Sequence, residues 1–360
     1  MIKDDFLSGI FYSVPNLRFP LYKNKWECKK IKDILKICHG KDYKHLESGK
    51  YPVLGTSGIF TYVNQYLCDW PCALIGRKGA SLDKPHYMNS PFWCVDTLYY
   101  SKPVKNNNPK WQYYFFQTIN WMKMNESSGI PSLRASTIEN IDVFVPSYQE
   151  QSNIVEFLDK IEQRIETQIK IIKDLKMQRD HLIHSVFSSM NSKLLLITDI
   201  AEVYQPQTIS SEKFDEGAEF PVFGANGIIG HYEKYNHENE QICIACRGSS
   251  VGTINISKKK SWITGNSMVI NSDNYDDMID KKFLYYQLMF IDFYKYISGS
   301  GQPQITRESL KNLKIKVPSL AIQHSISNFL NHIDLKITIE AELLCQYQLQ
   351  KSYLLKNMFI

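Results

Sequence analysis

Residues Ser128–Ser147 read SGIPSLRASTIENIDVFVPS, and residues Ser300–Ser319 read SGQPQITRESLKNLKIKVPS. Both have Ser-Gly, a Pro two residues later, a short amphipathic stretch, and an alternating apolar run that stops at Val-Pro-Ser. Upstream, three more blocks recur in the same order. YPVLGTSGIFTYVNQY from Tyr51 matches FPVFGANGIIGHYEKY from Phe220, and ALIGRKGAS from Ala73 matches CIACRGSSVG from Cys243 with one residue of slippage. FWCVDTLYY, around Trp93, matches SWITGNSMVI, around Trp262. The chain is therefore a tandem repeat with a period of roughly 170 residues. That period is too long for a solenoid unit, and each copy is large enough for its own core.

After each Val-Pro-Ser stop the periodicity changes. Apolar residues follow at alternating steps of four and three: Ile154, Leu158, Ile161, Ile165, Ile172, Leu175, Leu182 and Val186. The second copy gives Ile326, Leu330, Ile333, Ile337, Leu344, Tyr347, Leu354 and Met358. This is a heptad seam, and without Pro or Gly it predicts a rod of roughly 60 Å. Its polar slots match as well: Gln168 and Arg179 in one copy, Glu340 and Lys351 in the other. Polar seam residues fix register and orientation, so the two helices are expected to pair. The second globular part lies between them in sequence, which makes an antiparallel pair the easiest to close. A small domain cannot bury one face of so long a helix, so packing of each rod on its own domain alone is disfavoured.

The parts before each rod are rich in aromatic and β-branched residues broken by Gly, Pro, Asn and Ser. PCALIGR, FWCVDTLYY, QICIACR and SMVINS read as strands, and WQYYFFQTINWM and DKKFLYYQLMFIDFYKYI as buried aromatic helices. The fold class is α+β, with two tandem globular domains separated by an antiparallel pair of long coiled-coil helices. The expected boundaries are 1–146 and 191–318 for the globular domains, and 147–190 and 319–360 for the helices.

Composition excludes several classes. Hydrophobic residues at 43% and charged residues at 22% exclude a disordered or low-complexity chain. A net charge of +5 is mildly basic and does not by itself require a nucleic-acid partner. No apolar run is long enough for a membrane span, and the opening residues MIKDDFLSGIFYSVPNLRFP lack a signal-peptide pattern. The eight Cys are scattered in apolar stretches and fit reduced thiols in a cytoplasm. Cys243 and Cys246 have half a zinc spacing, but QICIAC reads as a buried strand that points them to opposite faces, so no metal is expected. Walker A, H-E-x-x-H, G-x-S-x-G and N/D-P-P-Y signatures are absent. The acidic group Asp215, Glu216 and Glu219 reads as a solvated loop.

Three loops per copy carry groups able to meet another molecule. Gly55–Gly58 and Gly224–Gly227 allow a tight turn with close backbone approach, although a plain hairpin turn has the same pattern. Arg77–Ser81 and Arg247–Ser250 place Arg and small hydroxyl residues directly after an apolar strand. Such groups contact phosphate or a guanine edge. Ser128–Arg134 and Ser300–Arg307 add Ser, Gln, Thr and Arg. Matched frames with different polar residues suit two domains that read different short sequences. Lys258, Lys259 and Lys260 suit either backbone contact or a solvated turn.

These blocks, with YPVLGTSGI, CALIGRKGAS and SYQEQ and their second copies, resemble the specificity subunit of Type I restriction–modification systems over nearly the whole chain. The opening PNLRFP and a following Trp are similar too. The resemblance implies that each globular half is a target recognition domain, similar to the DNA-reading domain of adenine-N6 methyltransferases, and reads half of a split site. It implies that the paired helices set the unread spacer. It also implies double-stranded DNA, two modification (DNA methyltransferase) subunits and restriction/translocase subunits as partners, with no catalysis and no cofactor in this chain. Carried over by position, the DNA-facing residues are Thr56, Ser57, Arg77, Lys78, Ser81 and Arg134 in copy one. In copy two they are Asn226, Arg247, Ser249, Ser250, Gln302, Gln304 and Arg307. Cys246 and Ser249 depart from the I-G-R-K-G-A frame of copy one. The alternative is a coiled-coil interaction scaffold without DNA readout.

Overall fold

The computed structural model describes residues 14–298 and 303–359. The chain divides into two compact units, Met1–Ile169 with Leu343–Ile360, and Lys170–Glu342.

The first unit opens with β1 (Glu27–Lys30), α1 (Ile31–Ile34), β2 (Leu35–His39), β3 (Ser48–Gly55), β4 (Gly58–Val63), β5 (Cys72–Gly76), β6 (His86–Met88), β7 (Trp93–Cys94) and β8 (Leu98–Pro103). It continues through α2 (Pro109–Phe116), α3 (Ala135–Glu139), β9 (Asp142–Val145) and the long α4 (Tyr148–Ser189), which runs on into the second unit. Its sheets have the orders β2-β8-β5-β6, β4-β3-β7 and β1-β9. All pairs are antiparallel except β3 with β7. Strand β5, CALIG, has neighbours on both edges and every residue buried, so it is apolar throughout rather than alternating.

The second unit repeats this plan. Its elements are β10 (Lys193–Leu196), β11 (Glu202–Tyr204), β12 (Phe220–Gly224), β13 (Gly227–Tyr232), β14 (Ile242–Ala245), β15 (Ile254–Ile256), β16 (Trp262–Ile263), β17 (Ser267–Asn271), α5 (Lys281–Phe290), α6 (Arg307–Leu310), β18 (Lys314–Val317) and α7 (Leu320–Met358). The sheet orders are β11-β17-β14-β15, β13-β12-β16 and β10-β18. The parallel pair is again the short one, β12 with β16. Even the register irregularity recurs, at Val53/Leu54 in one hairpin and Val222/Phe223 in the other.

The structure departs from the sequence reading in three places. FWCVDTLYY is not one strand: after Cys94 the chain turns, with the Leu98 amide donating to Val95 O, and it changes sheets. The turn serves other elements, since the Arg77 and Lys78 amides both donate to Thr97 O. The aromatic helices are shorter than read. Helix α2 stops at Phe116 and α5 at Phe290, and 3₁₀ turns follow at Trp121–Met124 and Phe293–Tyr296. Asn120 and Asp292 cap those turns, accepting from the Lys123 and Tyr294 amides, so a polar cap restarts the chain where the apolar pattern continues. Finally, near the end of α4 it is Ile183 and Phe187 that are fully buried, one step beyond the read seam at Leu182 and Val186. A real helix drifts against a strict seven-residue repeat, and this face turns toward the second core.

Each unit's core takes in parts of both long helices. In the first, Ile154, Leu158 and Ile161 of α4 and Leu354, Leu355 and Met358 of α7 join Trp111, Tyr114 and Trp121. In the second, Ile183 and Phe187 of α4 and Leu330 of α7 join Phe283, Leu284 and Tyr286. The expectation that the rods need each other or partners for burial is met only in part, because both ends also pack into the globular cores. Inside the first unit the helix segments run antiparallel. There Lys351 meets Glu162, while Tyr347, a turn earlier, shares a surface hollow with Arg164 and Gln168.

Candidate nucleic-acid interface

In the first unit the three loops form one surface. The β3–β4 turn carries Thr56 and Ser57, and Gly58 closes it at φ +110°. The loop after β5 is tied to the third loop by two bonds: the Leu133 amide donates to Arg77 O and the Gly79 amide to Pro131 O, both at 2.9 Å. Lys78 and Ser132 form a bridge between them. A Cβ at Gly79, which has φ +119°, would lie 3.3 Å from Thr56 Oγ1, so the first loop touches the second. His86 Nε2 lies 3.1 Å from Thr56 O and steadies the turn from below.

The side chains on this surface differ in availability. Arg77 is half-buried: its Nη1 donates to Asp96 O at 3.1 Å, and its guanidinium lies over the Tyr99 ring at 5.9 Å. Lys78 and Ser57 are exposed, and Ser81 is half-buried. Arg134 caps α3 by position, with its side chain 80% exposed and its Nε 2.9 Å from Glu126 Oε2. Lys78 and Arg134 therefore present their charge to solvent, whereas the Arg77 guanidinium is held by Asp96 O and the Tyr99 ring.

The second unit builds the same surface from other residues. The Ile305 amide donates to Cys246 O at 3.0 Å, and Arg247 bridges Gln304. Asn255 on β15 reaches the first loop, donating to Ala225 O at 3.3 Å and to Asn226 Oδ1 at 3.4 Å. The matching bridges resolve the slippage between the copies. Arg247 stands where Lys78 stands, and Cys246 takes the place of Arg77. The Cys246 thiol is buried and accepts from Gln205 Nε2 at 3.1 Å. Asn226, Arg247 and Ser249 are exposed, and Ser250 and Gln304 are half-buried. Arg307 is exposed at the first position of α6, whose cap is Thr306. Gln302 lies outside the described residues. Glu126, His86 and Asn255 escaped the sequence reading because each acts across loops far apart in the chain, which no local spacing marks.

Cys243 and Cys246 fall on opposite faces of the strand region. Cys243 packs with Phe223, Ile263 and Val269, and Cys246 belongs to the larger core. Burial pushes the Cys243 thiol up to about 12. Among the described residues no group of three or more His, Cys, Asp or Glu is arranged to hold a metal ion. None of the described helices is long and apolar enough to cross a membrane.

Two α+β heads of one topology, each followed by a long helix and each with its second and third loops joined in the same frame, define a tandem-repeat protein. The Type I restriction modification DNA specificity domain matches residues 23–177 and again 192–346, and the chain belongs to that family. It is 25% identical over 284 residues to the Type I restriction enzyme EcoprrI specificity subunit of Escherichia coli, covering 73% of this chain and 69% of that one. It is 24% identical over 404 aligned positions to the Type I restriction enzyme MjaVIII specificity subunit of Methanocaldococcus jannaschii, covering 92% and 90%. The solved Type-I restriction-modification system S subunit from M. genitalium aligns with a TM-score of 0.66 at 19% identity, covering 96% of this chain and 99% of that one, a likeness of fold.

Proposed function

We propose that this chain is the sequence-reading, non-catalytic subunit of a Type I restriction–modification complex. It works in the cytoplasm on double-stranded DNA with two modification subunits and with restriction/translocase subunits. One observation carries the reading: in each unit the loop after the buried strand is tied to the third loop in the same frame, Leu133 to Arg77 and Lys78 to Ser132 in one, Ile305 to Cys246 and Arg247 to Gln304 in the other, but the frame is filled with different polar side chains. Domains 1–146 and 191–318 then read two different half-sites, and helices 147–190 and 319–360 keep the spacer constant.

In copy two, Arg247 is suited to a bidentate guanine contact and Asn226 to adenine. In copy one, Lys78, Ser57 and Arg134 offer a point charge, a hydroxyl and a guanidinium. Thr56, Ser81, Ser249, Ser250, Gln304 and Arg307 complete the two surfaces. Phosphate contacts by Lys and Arg orient each head, and base-edge contacts supply sequence preference.

The test is DNA binding by the chain assembled with its modification subunits, measured across salt concentrations. This reading expects tight binding to one bipartite sequence, with weaker, steeply salt-dependent binding elsewhere. Equal affinity for all duplexes, or none, would leave only an interaction scaffold.

A further inference from the structure

Gln151 lies in the first turn of α4 and is fully buried. Its Oε1 accepts from the Asn108 backbone amide at 2.7 Å, and its Nε2 donates to Pro146 O at 3.0 Å. Gln323 lies 172 residues later, in the first turn of α7, and is also fully buried. Its Oε1 accepts from the Asp280 amide at 2.8 Å, and its Nε2 donates to Pro318 O at 2.8 Å and Met278 O at 3.0 Å. The partners are equivalent as well. Asn108 and Asp280 are the N-caps of α2 and α5, and Pro146 and Pro318 directly follow the closing strands β9 and β18.

Each amide therefore ties three elements at one point: the long helix, the end of the closing strand and the start of the aromatic helix in the head's core. Only a side chain that both accepts and donates satisfies all of these groups, and a buried backbone amide left without a partner is costly. Both glutamine side chains are themselves fully buried, so their bonds to the chain are favoured over exchange with water. Angular accuracy matters here. A tilt of roughly 10° over a head of roughly 20 Å displaces its far surface by about 3.4 Å, one base-pair rise.

We infer that Gln151 and Gln323 are positioning residues that lock each reading head on its own long helix and so restrict the complex to one spacer length. This inference rests on the proposed reading of a bipartite site. The test substitutes both glutamines with the similarly sized but non-bonding methionine, Q151M and Q323M, in the full chain assembled with its modification subunits. Methylation rates are compared on duplexes carrying both half-sites with the native spacer, or with one base pair more or fewer.

The expected result is that discrimination against the altered spacers falls by about tenfold while base preference within the half-sites is unchanged. If the double variant does not assemble, the single variants Q151M and Q323M give the same readout with one joint intact. An equal loss of rate on all spacers, or an unchanged ratio, would overturn the inference. A wild-type complex with no preference for any spacer would instead sink the bipartite reading on which it rests.

Discussion

Lys351 Nζ lies 2.7 Å from Glu162 Oε1, tying the end of α7 to the start of α4 with both side chains four-fifths buried. Moved by the repeat offset of 172 residues, Glu162 becomes Asp334 and Lys351 becomes Arg179. Arg179 Nη1 is 2.9 Å from Asp334 Oδ1. One contact is thus made twice, once in each unit, with the acid and the base exchanging helices. An aromatic hydroxyl supports each carboxylate: Tyr286 donates to Asp334 at 2.8 Å, and Tyr113 to Glu162 at 3.4 Å.

These pairs lie between exposed ion pairs, which contribute little, and fully buried ones, whose disruption costs several kcal/mol. Lys351→Met and Arg179→Met should each destabilise their unit by about 2 kcal/mol. Charge reversal at one partner, Glu162→Lys, should cost more, and adding Lys351→Glu should recover most of the loss. Thermal melts of the four members of that cycle measure the coupling. Simple additivity of the two single changes would show that the pair does not hold the helices.

The hairpin turns isolate a backbone effect. Gly58 and Gly227 have φ of +110° and +122°, and a Cβ at either would meet nothing within 4 Å. Gly58→Ala or Gly227→Ala should therefore cost about 1–2 kcal/mol from conformation alone. Each should weaken recognition of only one half-site. Melting and half-site competition assays check this, and a loss at both half-sites from one substitution would contradict it.

Acid should weaken the second unit through His237. This side chain is almost fully buried; Nε2 is 2.8 Å from Tyr204 OH and Nδ1 is 2.6 Å from Asn236 Oδ1. Burial lowers its pKa from the ordinary 6.5, and nearby Asp273 opposes the shift without reversing it. Between the lowered folded value and 6.5 the unfolded chain binds more protons, so stability rises with pH there. The contribution is intact above pH 6.5 and is lost as pH falls toward the folded value. Melting temperatures of the wild type and His237→Gln should diverge above pH 6.5 and converge below it. A constant difference across pH would refute the assignment.

Arg77 and Arg247 should behave differently although both are the Arg of their loop. Arg77 donates to Asp96 O and covers Tyr99, so Arg77→Ala should reduce stability more than sequence preference. Arg247 is exposed, so Arg247→Ala should cost about 1–3 kcal/mol of binding and relax preference at one position of one half-site. Selection from a randomised half-site library reads both effects. Relaxed preference from Arg77→Ala, with stability unchanged, would reverse the assignment.

The repeat, the long helices and the three loops were legible because each leaves a local pattern: matched blocks, a heptad seam, and Gly or Pro at fixed offsets. The pairing of loops within a head was not, since Lys78 meets Ser132 and Asn255 meets Asn226 across long separations. The equivalence of Lys78 with Arg247 was hidden by one residue of slippage, which only strand register resolves. The joints at Gln151 and Gln323 were visible as letters in SYQEQ and SLAIQ. Their role depends on backbone groups of Asn108 and Asp280, some 43 residues earlier, which a side-chain pattern does not mark.

The most direct test of a two-headed reader with a fixed ruler is to shorten the ruler. One heptad is removed from each long helix at matched positions, and methylated adenines are mapped in DNA of cells carrying the assembled complex. The account predicts that both half-sites keep their bases while the unread gap between them becomes shorter. An unchanged gap, or a single contiguous motif in the wild type, would contradict it.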